Sequence, residues 1–222
     1  MKSRLHLMYG GTFDPFHEGH LHIACWARDY VGAEVFVTPA ADPPHRPATG
    51  ASAQQRLDMV ALGIHDEPRI HADDRELRRT GPSYTVDTLM ELRQELGPDQ
   101  SIGILVGMDS FLSLPSWHRW QEIQDFAHVI VADRPGDQTA LPDALAAAVE
   151  HRQAQSADEL QQVPYGLILR LNQPQMDISA TRIRTQVGQG QTDWKQDVSE
   201  AVAEYIECHG LYRESATSRQ LA

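Results

Sequence analysis

The sequence predicts a doubly wound α/β domain, in which a parallel sheet carries helices on both faces. Short apolar runs alternate along the chain with segments whose apolar residues recur at helical spacing. Such alternation is typical of a parallel sheet covered on both sides by helices. The chain has 222 residues, enough for one such domain with a well-buried core. We expect a single domain over residues 1–213, with a small C-terminal helical part, and a polar, frayed tail over residues 214–222.

The strands and helices are predicted from these runs in order along the chain. The predicted strands are short and mostly apolar, and they span residues 5–9, 34–39, 101–106, 127–132 and 167–171, with a weaker one at 69–72. The predicted helices span residues 18–30, 52–64, 85–96, 141–150, 180–187 and 197–209. Ser52 is placed to cap the second helix, Gly97 and Pro98 end the third, and Gly210 stops the last. The polar run at residues 151–162 is expected to be a surface excursion.

The composition limits the kinds of molecule that the protein is expected to bind. The formal net charge of −12 argues against general nucleic-acid binding, which depends on many cationic contacts to phosphate. No apolar run approaches membrane-spanning length, and the first residues do not resemble a secretory signal. The two cysteines, Cys25 and Cys208, lie far apart without metal or redox spacing. We therefore expect a cytoplasmic protein that binds neither nucleic acid nor membrane, and homo-oligomerisation is left open.

The most informative segment is the stretch from Tyr9 to His20, which joins the first strand to the first helix through a glycine turn. Its glycines allow close approach of a ligand to the backbone, and the helix N-terminus offers unpaired N–H groups suited to phosphate. His17 and His20, three residues apart, are expected to face the same ligand. Two other interpretations stay open: a turn without a function, and metal ligation by the histidines, although no cysteine or acidic cluster completes a zinc site.

Two motifs resemble a known superfamily. The segment from Gly10 to His20, with its His-x-Gly-His ending, resembles the first signature of the H-x-G-H nucleotidyltransferases, and residues 178–184 (Ile-Ser-Ala-Thr-Arg-Ile-Arg) resemble the second. Within that superfamily the chain is similar to bacterial nicotinate-nucleotide adenylyltransferases. The similarity extends from about residue 5 to residue 213 and also rests on residues 43–46, 82–89, 107–110, 117 and 133–136.

The resemblance implies a Rossmann-like nucleotidyltransferase fold and a reaction. AMP would pass from ATP to nicotinate mononucleotide, giving deamido-NAD and pyrophosphate. The implied catalytic residues are His17, His20 and Arg184. Residues implied to bind ATP are Gly10, Gly11, Thr12, Phe13, Gly107, Asp109, Arg134, Ser179 and Thr181. Residues implied to bind nicotinate mononucleotide are His45, Arg46, Ser83, Tyr84, Thr85, Asp109 and Trp117.

The residues themselves are compatible with this chemistry. No nucleophile with an activating base is evident, and none is needed, since the attacking phosphate is already an anion. The protein must align two anions and stabilise charge on the transferred phosphate. Mg²⁺ is expected to be carried mainly by the ATP phosphates, so no protein metal site is predicted. Asp14 and Glu18 are interpreted as shaping the turn and complementing the helix dipole, not as an acid–base pair.

Several interpretations remain open at this point. Ser179 could be an ordinary helix cap, Arg46 and Arg184 solvated charges, and Trp117 a core residue, although Trp120 is favoured for the core. The acceptor could be nicotinamide mononucleotide, phosphopantetheine or an alcohol phosphate. Two further classes of protein also stay open. One is a non-catalytic nucleotide sensor, which the intact His17 and His20 argue against, and the other is a metal-binding structural protein.

Overall fold

The computed structural model describes residues 4–41, 50–133, 140–173 and 176–213. Within them lies a six-stranded sheet whose strands are β1 (His6–Gly11), β2 (Glu34–Pro39), β3 (Ile70–Ala72), β4 (Ile102–Gly107), β5 (His128–Asp133) and β6 (Ile168–Asn172). Their order is β3-β2-β1-β4-β5-β6, and every neighbouring pair is parallel. The doubly wound α/β prediction is confirmed. All six predicted strands are present, with ends shifted by no more than two residues.

The strand order reverses between β1 and β4. Successive crossovers place β2 and β3 on one side of β1, and β4, β5 and β6 on the other. Crossovers on the two sides leave opposite faces of the sheet, so a crevice opens outside the carboxyl ends of β1 and β4. Gly10 and Gly11 are the last two residues of β1, and the turn that follows them places the first motif at this crevice.

Seven α-helices lie within the described residues: α1 (Glu18–Val31), α2 (Ala53–Gly63), α3 (Thr85–Leu96), α4 (Met108–Leu112), α5 (Asp143–Val149), α6 (Ala180–Gly188) and α7 (Glu200–Cys208). The predicted cap of α2 is confirmed, since Ser52 accepts a hydrogen bond from the backbone N–H of Gln55. Gly97 ends α3 with a positive φ of 86°. The predicted start of the last helix at residue 197 is wrong. Val198 is extended, and Ser199 caps α7 at Val202, so residues 193–197 form a separate 3₁₀ turn.

Buried apolar residues form two clusters. The larger contains residues of α1, α2, α6 and α7, and the smaller contains residues of α3, β4 and β5. Trp194 is the most buried tryptophan at 2% exposure, whereas Trp117 and Trp120 are both half-buried against the smaller cluster. These positions do not decide between Trp117 and Trp120 as the core tryptophan, and the preference for Trp120 stays a prediction.

The polar segment at residues 151–162 is more than a surface excursion. Gln153 forms a parallel bridge to Ile168 in β6, and the side chain of Leu160 is fully buried in the larger cluster. Ser101 also donates a hydrogen bond to the Leu160 carbonyl at 2.6 Å. The segment is hard to interpret from sequence because two isolated apolar residues, Ala154 and Leu160, make its buried contacts.

Among the described residues, no helix has the length and apolar character needed to cross a membrane.

Candidate active site

A cavity of about 700 Å³ opens at the crevice beside β1 and β4. It brings together residues from the two ends of the sequence. Most of the predicted site residues line it: Gly10, Gly11, Thr12, Phe13, His20, Ser83, Tyr84, Thr85, Gly107, Trp117, Thr181 and Arg184. His17, Asp109 and Ser179 do not line it. Predicted residues His45, Arg46 and Arg134 lie outside the described residues.

The glycine turn is shaped by crowding. The residue with a positive φ in this turn is Phe13, at 52°, whereas Gly10 and Gly11 do not have a positive φ. A Cβ built on Gly11 would lie 2.8 Å from the Phe13 ring, too close for any side chain. Gly11 therefore leaves room for the Phe13 ring, which in turn packs edge-on against His20 at 5.0 Å between ring centroids.

His17 and His20 cap the start of α1. His17 Nδ1 accepts from the His20 backbone N–H, and His20 Nδ1 accepts from the His17 backbone N–H, both at 3.3 Å. The two rings stack at 3.6 Å between centroids. Because each Nδ1 accepts, the proton of each neutral ring is assigned to Nε2, which is a donor. A Cβ at Gly19 would lie 3.1 Å from His17 Nδ1, a tight contact that would push against the His17 ring.

The two histidines differ in exposure. His17 is buried at 7% exposure, while His20 lines the cavity. Burial, with a smaller effect of the Arg182 charge, lowers the pKa of His17 to about 4, so its ring is neutral near pH 7. The expectation that both rings face the ligand is corrected in one respect: the described geometry places His20 at the cavity and uses His17 as the helix cap.

The second motif contributes α6. Ser179 accepts from the Arg182 backbone N–H at 3.2 Å, which confirms the helix-cap interpretation. The Arg182 side chain pairs with Asp177 and Asp197, and Arg182 is not among the residues that line the cavity. Arg184 instead lines the cavity, and its Nη1 donates to the Asp14 carbonyl at 2.7 Å. Arg184 is therefore a fixed cation at the glycine turn and not a freely solvated charge.

Another part of the cavity is formed by the start of α3 and by Trp117. Tyr84 is the N-cap residue of α3, with extended φ −98° and ψ 129°, and its own side chain makes no capping hydrogen bond. The Tyr84 and His118 rings lie 4.3 Å apart between centroids with their planes tilted by 30°, and both residues line the cavity, as Trp117 does. Asp109, at the start of α4, is exposed and is not among the residues that line the cavity, so its binding of both substrates stays a prediction.

Comparison with known proteins agrees with the two motifs. The profile of the cytidylyltransferase-like family matches residues 8–186. A probable nicotinate-nucleotide adenylyltransferase of Stenotrophomonas maltophilia is 48% identical over 216 residues, covering 94% of this chain and 97% of that protein. The corresponding protein of Xylella fastidiosa is 45% identical, with 94% and 96% covered. The chain belongs to the nicotinate-nucleotide adenylyltransferase family.

A solved structure supports the fold of this adenylyltransferase family. The nicotinic acid mononucleotide adenylyltransferase of Plasmodium falciparum, complexed with NaAD, superimposes with a TM-score of 0.72. The match covers 95% of this chain and 98% of that one. Its sequence identity is 16%, so this likeness concerns the fold alone.

Several residues of the adenylyltransferase cavity were not predicted from the sequence, among them Glu76 and His118, and neither was a nearby buried arginine, Arg56. Glu76 lines the cavity at 7% exposure and accepts from Thr88 Oγ1 at 2.7 Å, and burial raises its pKa. His118 lines it beside Trp117. Arg56 is 1% exposed and donates to the Thr12 carbonyl at 2.7 Å. A charged residue in the apolar stripe of α2 was the available signal for Arg56.

Proposed function

We propose that the chain transfers AMP from ATP to nicotinate mononucleotide, releasing pyrophosphate and forming deamido-NAD. The observation that carries the proposal is the convergence of two sets of residues on one cavity. The glycine turn, His20 and Arg184 supply donors and positive charge for phosphate. The α3 N-terminus and Trp117 supply N–H groups and a flat apolar face for a pyridine carboxylate.

The reaction needs alignment more than acid–base chemistry. A phosphate oxygen of the mononucleotide attacks the α-phosphorus of ATP, a new P–O bond forms, and the bond to pyrophosphate breaks. His20 Nε2–H and Arg184 are positioned to stabilise negative charge that grows on the phosphates. Mg²⁺ enters with ATP as part of the substrate and lowers the charge of its phosphates. Within the described residues, no group of three or more His, Cys, Asp or Glu side chains is arranged as a metal site.

The acid group of the acceptor is the proposed specificity element. Helix-start N–H groups favour a carboxylate, whereas a carboxamide presents N–H donors to them. The nearby Glu76 carboxylate would repel a bound carboxylate if ionised, and its raised pKa reduces that repulsion.

A panel of acceptors tests the proposal. Pyrophosphate release from MgATP is measured with nicotinate mononucleotide, nicotinamide mononucleotide, phosphopantetheine and glycerol phosphate, each also with MgCTP. We expect turnover with MgATP and nicotinate mononucleotide to exceed every other combination. Preference for a different acceptor would replace the substrate assignment. Tight nucleotide binding without turnover in any combination would favour a nucleotide sensor instead.

A further inference from the structure

Near the C-terminal end of its described residues, the chain contacts the first motif. Tyr212 follows α7, and its hydroxyl donates to Asp14 Oδ1 at 2.8 Å. The backbone N–H groups of Gly50 and Ala51 donate to the same carboxylate at 2.8 and 3.2 Å. Asp14 is 6% exposed and lines the cavity. Three donors from two distant segments therefore fix one side chain of the glycine turn.

Arg184 depends on the same residue. Its Nη1 donates to the Asp14 backbone carbonyl at 2.7 Å, and its Nη2 donates to Thr181 Oγ1 at 3.3 Å. The Tyr212 ring and the Arg184 side chain both lie beside Gly50. A Cβ built on Gly50 would lie 2.7 Å from Tyr212 Cδ1 and 3.6 Å from Arg184 Cδ. Because Tyr212 and Arg184 both bind Asp14, a shift of Asp14 would change the position of the guanidinium.

The charges in this cluster support a fixed arrangement. Burial and the Asp14 carboxylate raise the pKa of Tyr212 far above its ordinary value, so the hydroxyl remains a proton donor. On the other side of the turn, Arg56 donates to the carbonyls of Thr12 and Ala41, at 2.7 and 3.3 Å. Tyr212 does not line the cavity itself, so any effect on chemistry must pass through Asp14 and Arg184.

We propose that Tyr212 is a positioning residue for adenylyl transfer, whose hydroxyl holds Asp14 and thereby orients Arg184 towards the ATP phosphates. This rests on the proposed function. It differs from a purely structural role, in which the hydrogen bond would only attach the C-terminal segment to the domain. The two roles predict different couplings to Arg184.

The chain provides a matched control. The Tyr205 hydroxyl donates to Asp58 Oδ2 at 2.7 Å, linking α7 to α2, and neither residue lines the cavity. Tyr205→Phe and Tyr212→Phe each remove one tyrosine–aspartate hydrogen bond and keep the ring. Their losses of thermal stability are expected to be similar, while their losses of activity are expected to differ.

The experiment is a double-mutant cycle of Tyr212→Phe and Arg184→Ala, with Tyr205→Phe as control. Two quantities are measured: kcat with saturating MgATP and nicotinate mononucleotide, and calorimetric affinity for the α,β-methylene analogue of ATP. Tyr212→Phe should lower kcat by about tenfold or more, since small misplacements of reacting groups cost up to about a hundredfold. Tyr205→Phe should change it by less than about twofold, because distant sites act independently. In the Arg184→Ala background, Tyr212→Phe should cause almost no further loss in either quantity.

Two results would overturn the proposal: equal activity losses in the two tyrosine variants, or additive losses for Tyr212→Phe and Arg184→Ala. If Tyr212→Phe does not fold, Asp14→Asn tests the link from the acceptor side and should show the same non-additivity with Arg184→Ala. Failure of the proposed function would be seen separately, as absence of adenylyl transfer by the unmodified enzyme. The cycle in analogue affinity would then still decide the role of Tyr212.

Discussion

His17 and His20 belong to one motif, yet their surroundings assign them different tasks. The His17 ring is buried and neutral, and it accepts from the backbone N–H of His20. His20 Nδ1 in turn accepts from the backbone N–H of His17, and His20 also lines the cavity. A change at His20 therefore affects both the cap of α1 and the chemistry, and a test of catalysis must separate the two.

Two substitutions separate the capping role of His20 from its role in the chemistry. His20→Ala removes the ring and the cap, whereas His20→Gln keeps a side-chain acceptor at a position where capping boxes favour Gln. Both variants should lower kcat by about 10²–10³-fold, as expected for loss of one donor to developing charge. Only His20→Ala should also lower the melting temperature appreciably. Steady-state kinetics and thermal unfolding measure the two effects, and near-normal turnover in folded His20→Gln would remove His20 from the mechanism.

At the scale of single residues, the sequence motifs located about half of the residues that line the cavity, but a motif does not orient its side chains. Gly10–Phe13, His20 and Arg184 were found because their motifs have fixed spacing. His17 and Asp109 were also assigned to ligands; His17 is buried as a cap and Asp109 is exposed, and their roles in binding stay predictions. Glu76 could not be found, because its position at the cavity depends on a 3₁₀ turn packing against α3.

At the scale of elements, the start of α3 is a natural test of acid recognition. Tyr84 has φ −98° and ψ 129°, which are angles that a residue before proline adopts readily. Thr85 is the first residue of the helix, where proline is tolerated because its N–H has no partner within the helix. Proline at position 85 therefore removes one N–H group and leaves the helix intact.

We expect Thr85→Pro to reduce the preference for nicotinate over nicotinamide mononucleotide, and Thr85→Ala to keep it. The preference is measured as the ratio of kcat/KM values for the two acceptors. Loss of one donor to a charged group should lower this ratio by about tenfold or more. Circular dichroism controls for the integrity of α3. An unchanged ratio in folded Thr85→Pro would show that the Thr85 N–H does not bind the carboxylate.

Sequence patterns predicted the elements wherever periodicity was long, and failed where a segment had only isolated apolar residues. α3 was predicted with both ends correct, because its apolar stripe is bounded by Gly97. Residues 151–162 were interpreted as surface, because a polar run with one buried leucine has no periodicity. Burial of Leu160 is decided by packing against distant elements, which no local pattern encodes.

The contribution of residues 151–162 to the free energy of unfolding can be measured. Leu160→Ala should lower the free energy of unfolding by about 2–5 kcal/mol, the range for a fully buried leucine. Val163→Ala, at a side chain 41% exposed, should change it by no more than about 0.5 kcal/mol. Urea denaturation measures both values. Because Leu160 does not line the cavity, KM for both substrates should be unchanged in Leu160→Ala. A loss below about 1 kcal/mol would show that the segment packs loosely.

At the scale of the whole molecule, an acidic protein must bind anionic nucleotides. The net charge of −12 repels them, so binding depends on local donors and cations at the cavity. The need for local cations is already evident from the sequence, and Arg184 supplies one at the cavity. The same fold also buries several histidines, which gives the molecule a dependence on pH that is unrelated to substrate.

His128 is the clearest case. It is fully buried, its Nδ1 accepts from the Leu167 N–H at 3.1 Å, and its Nε2 lies 3.1 Å from the Val163 carbonyl. Protonation of Nδ1 would remove that acceptor. Burial lowers the pKa of His128 to about 4, and burial also lowers the pKa values of His6 and His17 to about 4. In the unfolded chain these rings bind protons near pH 6.5.

Between about pH 6.5 and pH 4 the unfolded chain therefore binds more protons at these rings than the folded chain does, and stability falls as the pH falls. We expect His128→Gln to be less stable than the unmodified protein at pH 7.5 but to lose stability less steeply across this window. His65→Gln, at a side chain 81% exposed, should follow the curve of the unmodified protein. Urea unfolding at a series of pH values measures the slopes. Parallel curves for His128→Gln and His65→Gln would show that His128 does not control the acid sensitivity of the fold.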